Sequence, residues 1–344
     1  MNAKKPKVTY GISTSMLFDM REPDAIYRND GPEAYAQHMI ENQHSPLPHG
    51  PWFEALKRDF EDSNGMIEVV LASRNSPITA RRALKTLGEH GITPARMFFT
   101  CGKSPVPYLK AYGIDLFRTT DLGVAQEALA NDVLVAHYDP VSMKDIQDQA
   151  AQRAVTSRDK NVLTLPASKV DQPSLRSVYN GRTLGNAVFD LDGVVFGAES
   201  EHFYKQFKLA AYHEHEKNMR DIPLSQGPAF NLLKKYTEVN KQYAGSQLPF
   251  EISVVTARGD FAAIRAIETL HAWGIDIEGT THFLGGAPKK PVLDAIRAHA
   301  AARNMPAPEF WDDQQHNIQA GHDAGVLTGY IPQDYTDHDP KTPG

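Results

Sequence analysis

Part of the sequence occurs twice. The segment YAQHMIENQHSPLPHGPWFEALKRDF, which begins at Tyr35, aligns without a gap with YHEHEKNMRDIPLSQGPAFNLLKKYT, which begins at Tyr212. The identical pairs are Tyr35 and Tyr212, His38 and His215, Pro46-Leu47 and Pro223-Leu224, Gly50-Pro51 and Gly227-Pro228, Phe53 and Phe230, and Leu56-Lys57 and Leu233-Lys234. Two unrelated units could share a hydrophobic rhythm, but a rhythm does not reproduce Gly-Pro, Pro-Leu and Tyr at one offset. The repeat therefore predicts an internal duplication.

The similarity extends further along both halves. EVVLASRNSPITARRALKTLGEHGI aligns with SVVTARGDFAAIRAIETLHAWGI across a two-residue gap, and Lys103, Pro105 and Val106 then align with Lys289, Pro291 and Val292. A chain of 344 residues is usually divided into two domains. We predict domains at residues 1–155 and 186–332, a polar linker at 156–185 that contains two prolines, and a flexible tail at 333–344.

Short apolar strands alternate with amphipathic helices in the second half. The expected strands contain Val188-Phe189, Ile252–Val255, Phe283-Leu284 and Phe310-Trp311. The helical faces expected to point inward are Phe230, Leu232 and Leu233; Ile264, Ile267 and Leu270; and Val292, Ile296 and Ala300. This alternation predicts an α/β fold in which a mostly parallel sheet carries helices on both faces. Ligands of such folds bind at the carboxyl ends of the strands.

Composition excludes several classes of protein. The formal net charge of −6 provides no general basic field for nucleic acid or anionic membrane. Cys101 is the only cysteine, so no internal disulfide can form, and a cytoplasmic location is expected. Val8 to Phe18 follows three lysines and loosely resembles a signal peptide, but polar residues interrupt it and no small-residue cleavage site follows. We interpret this stretch as a buried first strand.

The first chemical motif is AVFDLDGVVF. Asp190 and Asp192 directly follow two apolar strand residues, and Gly193 relaxes the backbone after them. Two carboxylates at one point require a shared proton or a cation, and Mg²⁺ prefers oxygen ligands. One carboxylate could attack phosphorus while the other exchanges a proton with the leaving oxygen and with water. A surface turn is the alternative, whereas a calcium loop would need further acidic residues at fixed spacing.

Two further motifs could bind phosphate. In ISVVTARGD, Thr256 ends a strand, so its hydroxyl, the backbone at Ala257 and the side chain of Arg258 are candidate phosphate ligands. A simple N-cap threonine and a surface arginine are the alternatives. In GGAPKKPVLDAI, Lys289 precedes a helix and could stabilise the charge of a transferring phosphoryl group. Lys290 competes for this role.

The fourth motif, FWDDQQHN, places Asp312 and Asp313 side by side at a strand end. Adjacent carboxylates are costly to bury unless a cation is present, so they are candidate metal ligands together with Asp190 and Asp192. A helix cap followed by a solvated acid is the alternative interpretation. Each motif alone is a weak signal, but all four follow apolar strands in the order DxD, Thr, Lys and DD.

This order resembles the haloacid dehalogenase (HAD) superfamily of phosphatases over residues 186–329. ISTSMLFDM, SPVPYLKAYGIDLF, VVTARGDFAAIRAIETLHAWGI, FLGGAPKKPVL and FWDDQQHN also resemble the cytosolic 5′-nucleotidase I family across nearly the whole chain. The resemblance implies a HAD-like fold with a small cap, nucleoside 5′-monophosphate substrates, AMP prominent among them, and Mg²⁺ as cofactor.

The resemblance also implies roles for individual residues. Asp190 would be the nucleophile and Asp192 the acid/base, with its backbone carbonyl on the metal. Thr256 and Lys289 would bind phosphate, while Asp312 and Asp313 would serve the metal and water. A phosphatase for another small phosphomonoester, such as a sugar phosphate, and a non-catalytic nucleotide-sensing protein remain open alternatives. Self-association into a homo-oligomer also stays open.

The first half lacks this chemistry. GISTSMLF carries Ser and Thr where the second half carries Asp190 and Asp192, and FRTTD places Thr119 and Thr120 where Asp312 and Asp313 are expected. Without those carboxylates the first half cannot hold the metal or form an acyl phosphate. We therefore predict a catalytically inactive copy that contributes packing, substrate walls or a regulatory surface.

Overall fold

The computed structural model describes residues 7–50, 52–62, 65–94, 96–141, 177–179, 181–244, 247–277 and 279–333. The chain divides into two compact units, Met1–Lys144 and Asp145–Gly344. Most of the predicted linker, and all of the predicted tail except Gln333, lie outside the described residues, so these boundaries stay predictions. No helix among the described residues is both long enough and apolar enough to cross a membrane.

The first unit is a parallel five-stranded sheet with helices between its strands. The strands are β1 (Val8–Ile12), β2 (Ile67–Ser73), β3 (Arg96–Phe99), β4 (Leu116–Thr119) and β5 (Val135–His137). The helices are α1 (Thr14–Leu17), α2 (Arg21–Glu41), α3 (Phe53–Asp62), α4 (Arg81–Glu89), α5 (Val106–Leu109) and α6 (Leu122–Ala130). The strand order is β3-β2-β1-β4-β5, and each neighbouring pair is parallel. Val8 to Ile12 is the buried first strand that the sequence predicts.

The second unit has a parallel five-stranded sheet and a short two-stranded one. Its strands are β6 (Ser177–Val178), β7 (Gly185–Phe189), β8 (Tyr243–Ala244), β9 (Phe250–Thr256), β10 (Thr281–Phe283), β11 (Glu309–Asp312) and β12 (Leu327–Tyr330). Its helices are α7 (Glu199–Asn218), α8 (Phe230–Asn240), α9 (Asp260–Ala272), α10 (Lys290–Ala302) and α11 (Gln315–Asp323), and a π-turn spans Leu191–Val195. The main sheet has the order β10-β9-β7-β11-β12.

Each sheet therefore shows the strand order of a Rossmann-like fold, with the first strand in the centre. The helices α2 and α7 also share a break in their helical backbone. The helical path of α2 breaks at Gly31, where φ is 90° and ψ is 178°, and that of α7 breaks at Lys208, where φ is 66° and ψ is −179°. These two positions are separated by the same offset as Tyr35 and Tyr212.

The core of the second unit lies where the sequence predicts it, with one exception. Val188, Val255, Leu293, Ile296, Phe310, Ala324 and Val326 form a buried cluster. Phe230, Leu232 and Leu233 of α8 are also buried, as predicted. On α9, Leu270 is buried as predicted, but the prediction is wrong for Ile264 and Ile267, which are 45% and 51% exposed. That helix also buries Ala262, Arg265, Ala266 and Thr269, and Arg265 finds polar partners inside the unit.

Candidate active site

The carboxyl end of β7 presents the first aspartate to the edge of the sheet. The N–H of Asp190 donates to the carbonyl oxygen of Trp311 at 2.9 Å, so this residue continues the pairing between β7 and β11. The backbone then turns away at Gly193, whose φ of 70° is left-handed and suits glycine. Asp190 is only 4% exposed. A strand end followed by a tight turn thus fixes a buried carboxylate.

Lys289 connects this carboxylate to the next strand of the sheet. It caps the N-terminus of α10 and is 2% exposed. Its Nζ lies 2.8 Å from Asp190 Oδ1 and 2.7 Å from Asp312 Oδ2. The competing Lys290 instead donates to Asp294 at 2.6 Å on the exposed side of the helix. Of these two lysines, Lys289 is the one that contacts Asp190 and Asp312.

Asp312 and Asp313 follow β11, the strand beside β7. Asp312 is fully buried, and its Oδ1 accepts hydrogen bonds from the N–H of Gln314 at 2.8 Å and from Asn317 Nδ2 at 3.2 Å. Asp313 is 3% exposed. One carboxylate oxygen from each of Asp190, Asp312 and Asp313 lies within 4.8 Å of the others. The structure therefore brings together three of the four aspartates that were predicted to bind the metal.

Burial controls the protonation of this cluster. The pKa of Asp190 is raised to about 7, mainly by desolvation; the nearby Asp312 and Asp192 also raise it, and Lys289 opposes them. Burial alone would lower the pKa of Lys289, but its contacts with Asp190 and Asp312 raise it above the ordinary lysine value. Lys289 is therefore a permanent cation, and the Asp190 carboxyl is most easily ionised when a further positive charge is nearby.

The donor set suits a divalent cation that prefers oxygen. Three buried carboxylates converge, and a single ammonium is too little to balance their charge. Hard oxygen ligands of this kind are typical of magnesium sites. The residues present thus fit a divalent metal ion, held by Asp190, Asp312 and Asp313.

The carboxylate of Asp192 lies outside this cluster and pairs with Arg258. Arg258 Nη2 is 2.5 Å from Asp192 Oδ1, and its Nε donates to Oδ2 at 2.8 Å. Nη1 of the same guanidinium is 3.0 Å from Oε2 of Glu216, a fully buried residue. Oε1 of Glu216 is 2.9 Å from Nη1 of Arg265. The guanidinium of Arg258 is buried and engaged by two carboxylates, so neither the predicted phosphate contact nor the surface alternative describes its position.

Thr256 and Ala257 line the mouth of the same site. Thr256 ends β9, is 1% exposed, and its Oγ1 accepts from the N–H of Arg258 at 3.3 Å. Both residues line a cavity of about 320 Å³ together with Asp190, Asp192 and Lys289. Predicted residues of the first three motifs therefore line one cavity, and Asp312 and Asp313 of the fourth motif lie beside Asp190, outside the lining.

Sequence reasoning missed part of this site. His316, Asn317, Gln314, Ala320 and the loop at Gly286–Pro288 also line the cavity. Asn317 belongs to the quoted FWDDQQHN motif, so its spacing from Asp312 was available as a signal. Glu216 lies on α7, far from every motif, and only the fold reveals that it holds Arg258.

Comparison with known proteins agrees with this chemistry. A sequence profile of a family described as 5′-nucleotidase matches residues 1–160 and 159–338. Human "Cytosolic 5′-nucleotidase 1B" is 28% identical over 343 residues, which cover 95% of this chain and 49% of the human protein. The chain thus spans about half the length of this curated relative.

Proposed function

We propose that this chain, which belongs to the 5′-nucleotidase family, hydrolyses nucleoside 5′-monophosphates to a nucleoside and phosphate. The observation that carries the proposal is the convergence of Asp190, Asp312 and Asp313 at the carboxyl edge of the second sheet, next to Lys289 and to a cavity that Asp190 and Lys289 line. The name of the human relative supports the same substrate class and a cytosolic location, which the single cysteine also favours.

In the first half-reaction, Asp190 is the nucleophile. One of its carboxylate oxygens attacks phosphorus, the bond between phosphorus and the 5′ oxygen breaks, and Asp192 gives its proton to that oxygen. In the second half-reaction, water attacks phosphorus, Asp192 accepts its proton, and the bond between phosphorus and Asp190 breaks. Magnesium, when bound, supplies positive charge that lowers the repulsion between the attacking carboxylate and the phosphate.

Lys289 and Thr256 stabilise the transferring group. The Lys289 ammonium is already held beside Asp190, so it needs no reorganisation when charge develops on the phosphoryl oxygens. The Thr256 hydroxyl and the backbone at Ala257 line the same cavity and can donate to those oxygens.

Arg258 positions Asp192 rather than binding phosphate. Its two bonds to Asp192 orient the carboxylate that accepts the proton from water. Proton donation to the leaving oxygen requires Asp192 to be protonated, so this pair must open in the first half-reaction. Glu216 and the carbonyl oxygen of Ala262 hold the guanidinium in place when it does.

We also infer a HAD-like, internally duplicated architecture. The two units share strand order, and equivalent contacts recur in them. The N–H of Gly50 donates to the carbonyl oxygen of Leu17, and the N–H of Gly227 donates to the carbonyl oxygen of Val195. In the same way, Arg82 donates to the carbonyl oxygen of Ser45, and Arg265 donates to the carbonyl oxygen of Ile222. The described residues between Asp192 and Thr256 form little beyond α7, α8 and β8, which supports a small cap.

Phosphate release from a panel of substrates tests the proposed activity. Nucleoside 5′-monophosphates, their 3′ isomers and sugar phosphates are incubated with the protein, with magnesium or with a chelator. We expect phosphate to be released from the 5′-nucleotides when magnesium is present and not when the chelator is. Asp190→Asn should lose turnover by several orders of magnitude. Preference for sugar phosphates, or activity of Asp190→Asn above about a tenth of the wild-type kcat, would refute the proposal.

A further inference from the structure

The first unit has a larger cavity than the catalytic one. It encloses about 620 Å³ at the carboxyl ends of β1, β2 and β4, and none of the four motifs contributes to it. The part of its lining that follows these strands carries hydroxyl groups, and we call it the hydroxyl floor. These groups belong to Ser13, Ser15, Ser73, Thr119 and Thr120. This cavity has no role in the hydrolysis described above.

Hydrogen bonds identify the hydroxyl floor as the counterpart of the strand ends that carry Asp190, Thr256 and Asp312 in the second unit. The N–H of Ser13 donates to the carbonyl oxygen of Arg118 at 3.0 Å, as that of Asp190 donates to the carbonyl oxygen of Trp311. The N–H of Asp121 donates to Thr119 Oγ1 at 3.1 Å, and that of Gln314 donates to Asp312 Oδ1. The N–H of Asn75 donates to Ser73 Oγ at 3.1 Å, and that of Arg258 to Thr256 Oγ1. Hydroxyls therefore stand where the catalytic unit has Asp190 and Asp312, while Ser73 replaces Thr256.

This replacement changes which ligands the floor can hold. A carboxylate only accepts hydrogen bonds, whereas a hydroxyl can also donate one to an oxyanion. The floor hydroxyls are close enough to act together, because Ser15 Oγ lies 3.1 Å from Ser13 Oγ and 2.5 Å from Thr120 Oγ1. Arg74 follows Ser73 at the position of the catalytic Ala257 and also lines the cavity, where it pairs with Asp121 at 2.6 Å. The floor can thus take a phosphate group without a metal ion.

The part of the lining that α2 contributes suits a planar ring. Tyr27 and Tyr35 of α2 pack edge to face with their centroids 5.8 Å apart, and Tyr27 is 51% exposed. Both line the cavity, and Tyr35 is fixed by a 2.6 Å hydrogen bond to Asn75. Asp24, one turn before Tyr27, also lines it and can accept hydrogen bonds from sugar hydroxyls. Tyrosine faces exposed in a cavity stack well on aromatic rings.

We propose that this cavity binds a nucleotide, with its phosphate on the hydroxyl floor and its base against Tyr27, without magnesium and without hydrolysis. The second unit repeats the aromatic pair, since Tyr204 and Tyr212 also lie edge to face at 5.8 Å. The two units would then hold the same class of ligand, and only the aspartate-bearing unit would cleave it.

Cys101 provides a probe at this cavity that is independent of turnover. It is the only cysteine in the chain, it is exposed, and it lines the cavity. The rate of its alkylation by iodoacetamide is measured in chelator, without ligand and with AMP, adenosine or inorganic phosphate. We expect AMP at ten times its dissociation constant to slow alkylation about tenfold, because only the unoccupied fraction reacts. Adenosine and phosphate alone should protect less at equal concentration.

Two variants assign the protection to one cavity. Lys289→Met disables the catalytic cavity and should leave protection by AMP unchanged. Thr120→Asp places a carboxylate on the floor of the first cavity. We expect this variant to need at least ten times more AMP for the same protection of Cys101, while its phosphate release in magnesium continues. No protection by AMP in chelator overturns the proposal, as does protection that is lost in Lys289→Met but kept in Thr120→Asp. Equal protection by adenosine refutes the phosphate assignment.

Discussion

Replacing Asp190, the proposed nucleophile, should stabilise the metal-free protein. Burial raises the pKa of Asp190 from 3.8 to about 7, so the folded state binds this proton more tightly than the unfolded state does. The stabilisation by this proton is complete below pH 3.8 and is lost as the pH rises through 7. At about 1.4 kcal/mol per unit, ionised Asp190 costs up to about 4 kcal/mol at pH 8, and less than half of that at pH 5. Asp190→Asn removes this cost, because an amide stays neutral.

Urea unfolding in chelator at pH 5 and pH 8 measures the effect. We expect Asp190→Asn to be more stable than wild type by about 2 to 4 kcal/mol at pH 8 and by clearly less at pH 5. Asp323→Asn, a matched change at an exposed helix end, should alter stability by less than about 0.5 kcal/mol. Magnesium should reverse the order, because it stabilises the wild type selectively. An Asp190→Asn protein that is no more stable than wild type in chelator at pH 8 would refute the reasoning.

Three other changes probe the remaining elements of the site and fold. Lys289→Met should reduce kcat by about a hundredfold or more, whereas Lys290→Met should leave steady-state phosphate release nearly unchanged; equal losses would show that the wrong lysine was assigned. Arg258→Gln should lower kcat with little change in KM, because it loosens Asp192 without touching substrate, and Arg258→Lys should recover only part of the rate; a rise in KM alone would instead indicate direct phosphate binding. Gly227→Ala should destabilise the protein by about 1 to 3 kcal/mol in thermal unfolding, since a Cβ would press on the carbonyl oxygens of Val194 and Phe196, while Gly88→Ala, with open space in α4, should be neutral or stabilising.

The positions of the reactive groups could be predicted because they depend on local features. Asp190, Thr256 and Asp312 each lie at the end of an apolar strand, and the ends of neighbouring parallel strands meet at one edge of a sheet. Lys289 could be placed beside them from its position before a helix, although the choice between it and Lys290 needed the structure. For these residues, short-range patterns and one topological rule are sufficient.

The polar interior behind the site could not be predicted in the same way. The partners Arg258 and Glu216 are 42 residues apart and lie on elements whose packing no local pattern specifies. Glu216 also explains why two of the residues predicted to face inward on α9 do not, since Arg265 turns inward to meet it and leaves Ile264 and Ile267 outside. Helical periodicity predicts that a face exists, but a buried ion pair decides which face it is.

The position of Lys289 between two aspartates also has a consequence for ion selectivity. Three ionised carboxylates and one ammonium leave two negative charges in the buried cluster, and a divalent ion cancels them completely. A monovalent ion would leave one negative charge uncompensated in the cluster, and a trivalent ion would leave one positive charge. Both are unfavourable in a poorly solvated site. The hydroxyl floor of the first unit carries no such excess. The aspartate cluster is thus selective for the valence of its ion, whereas the hydroxyl floor is indifferent to ions.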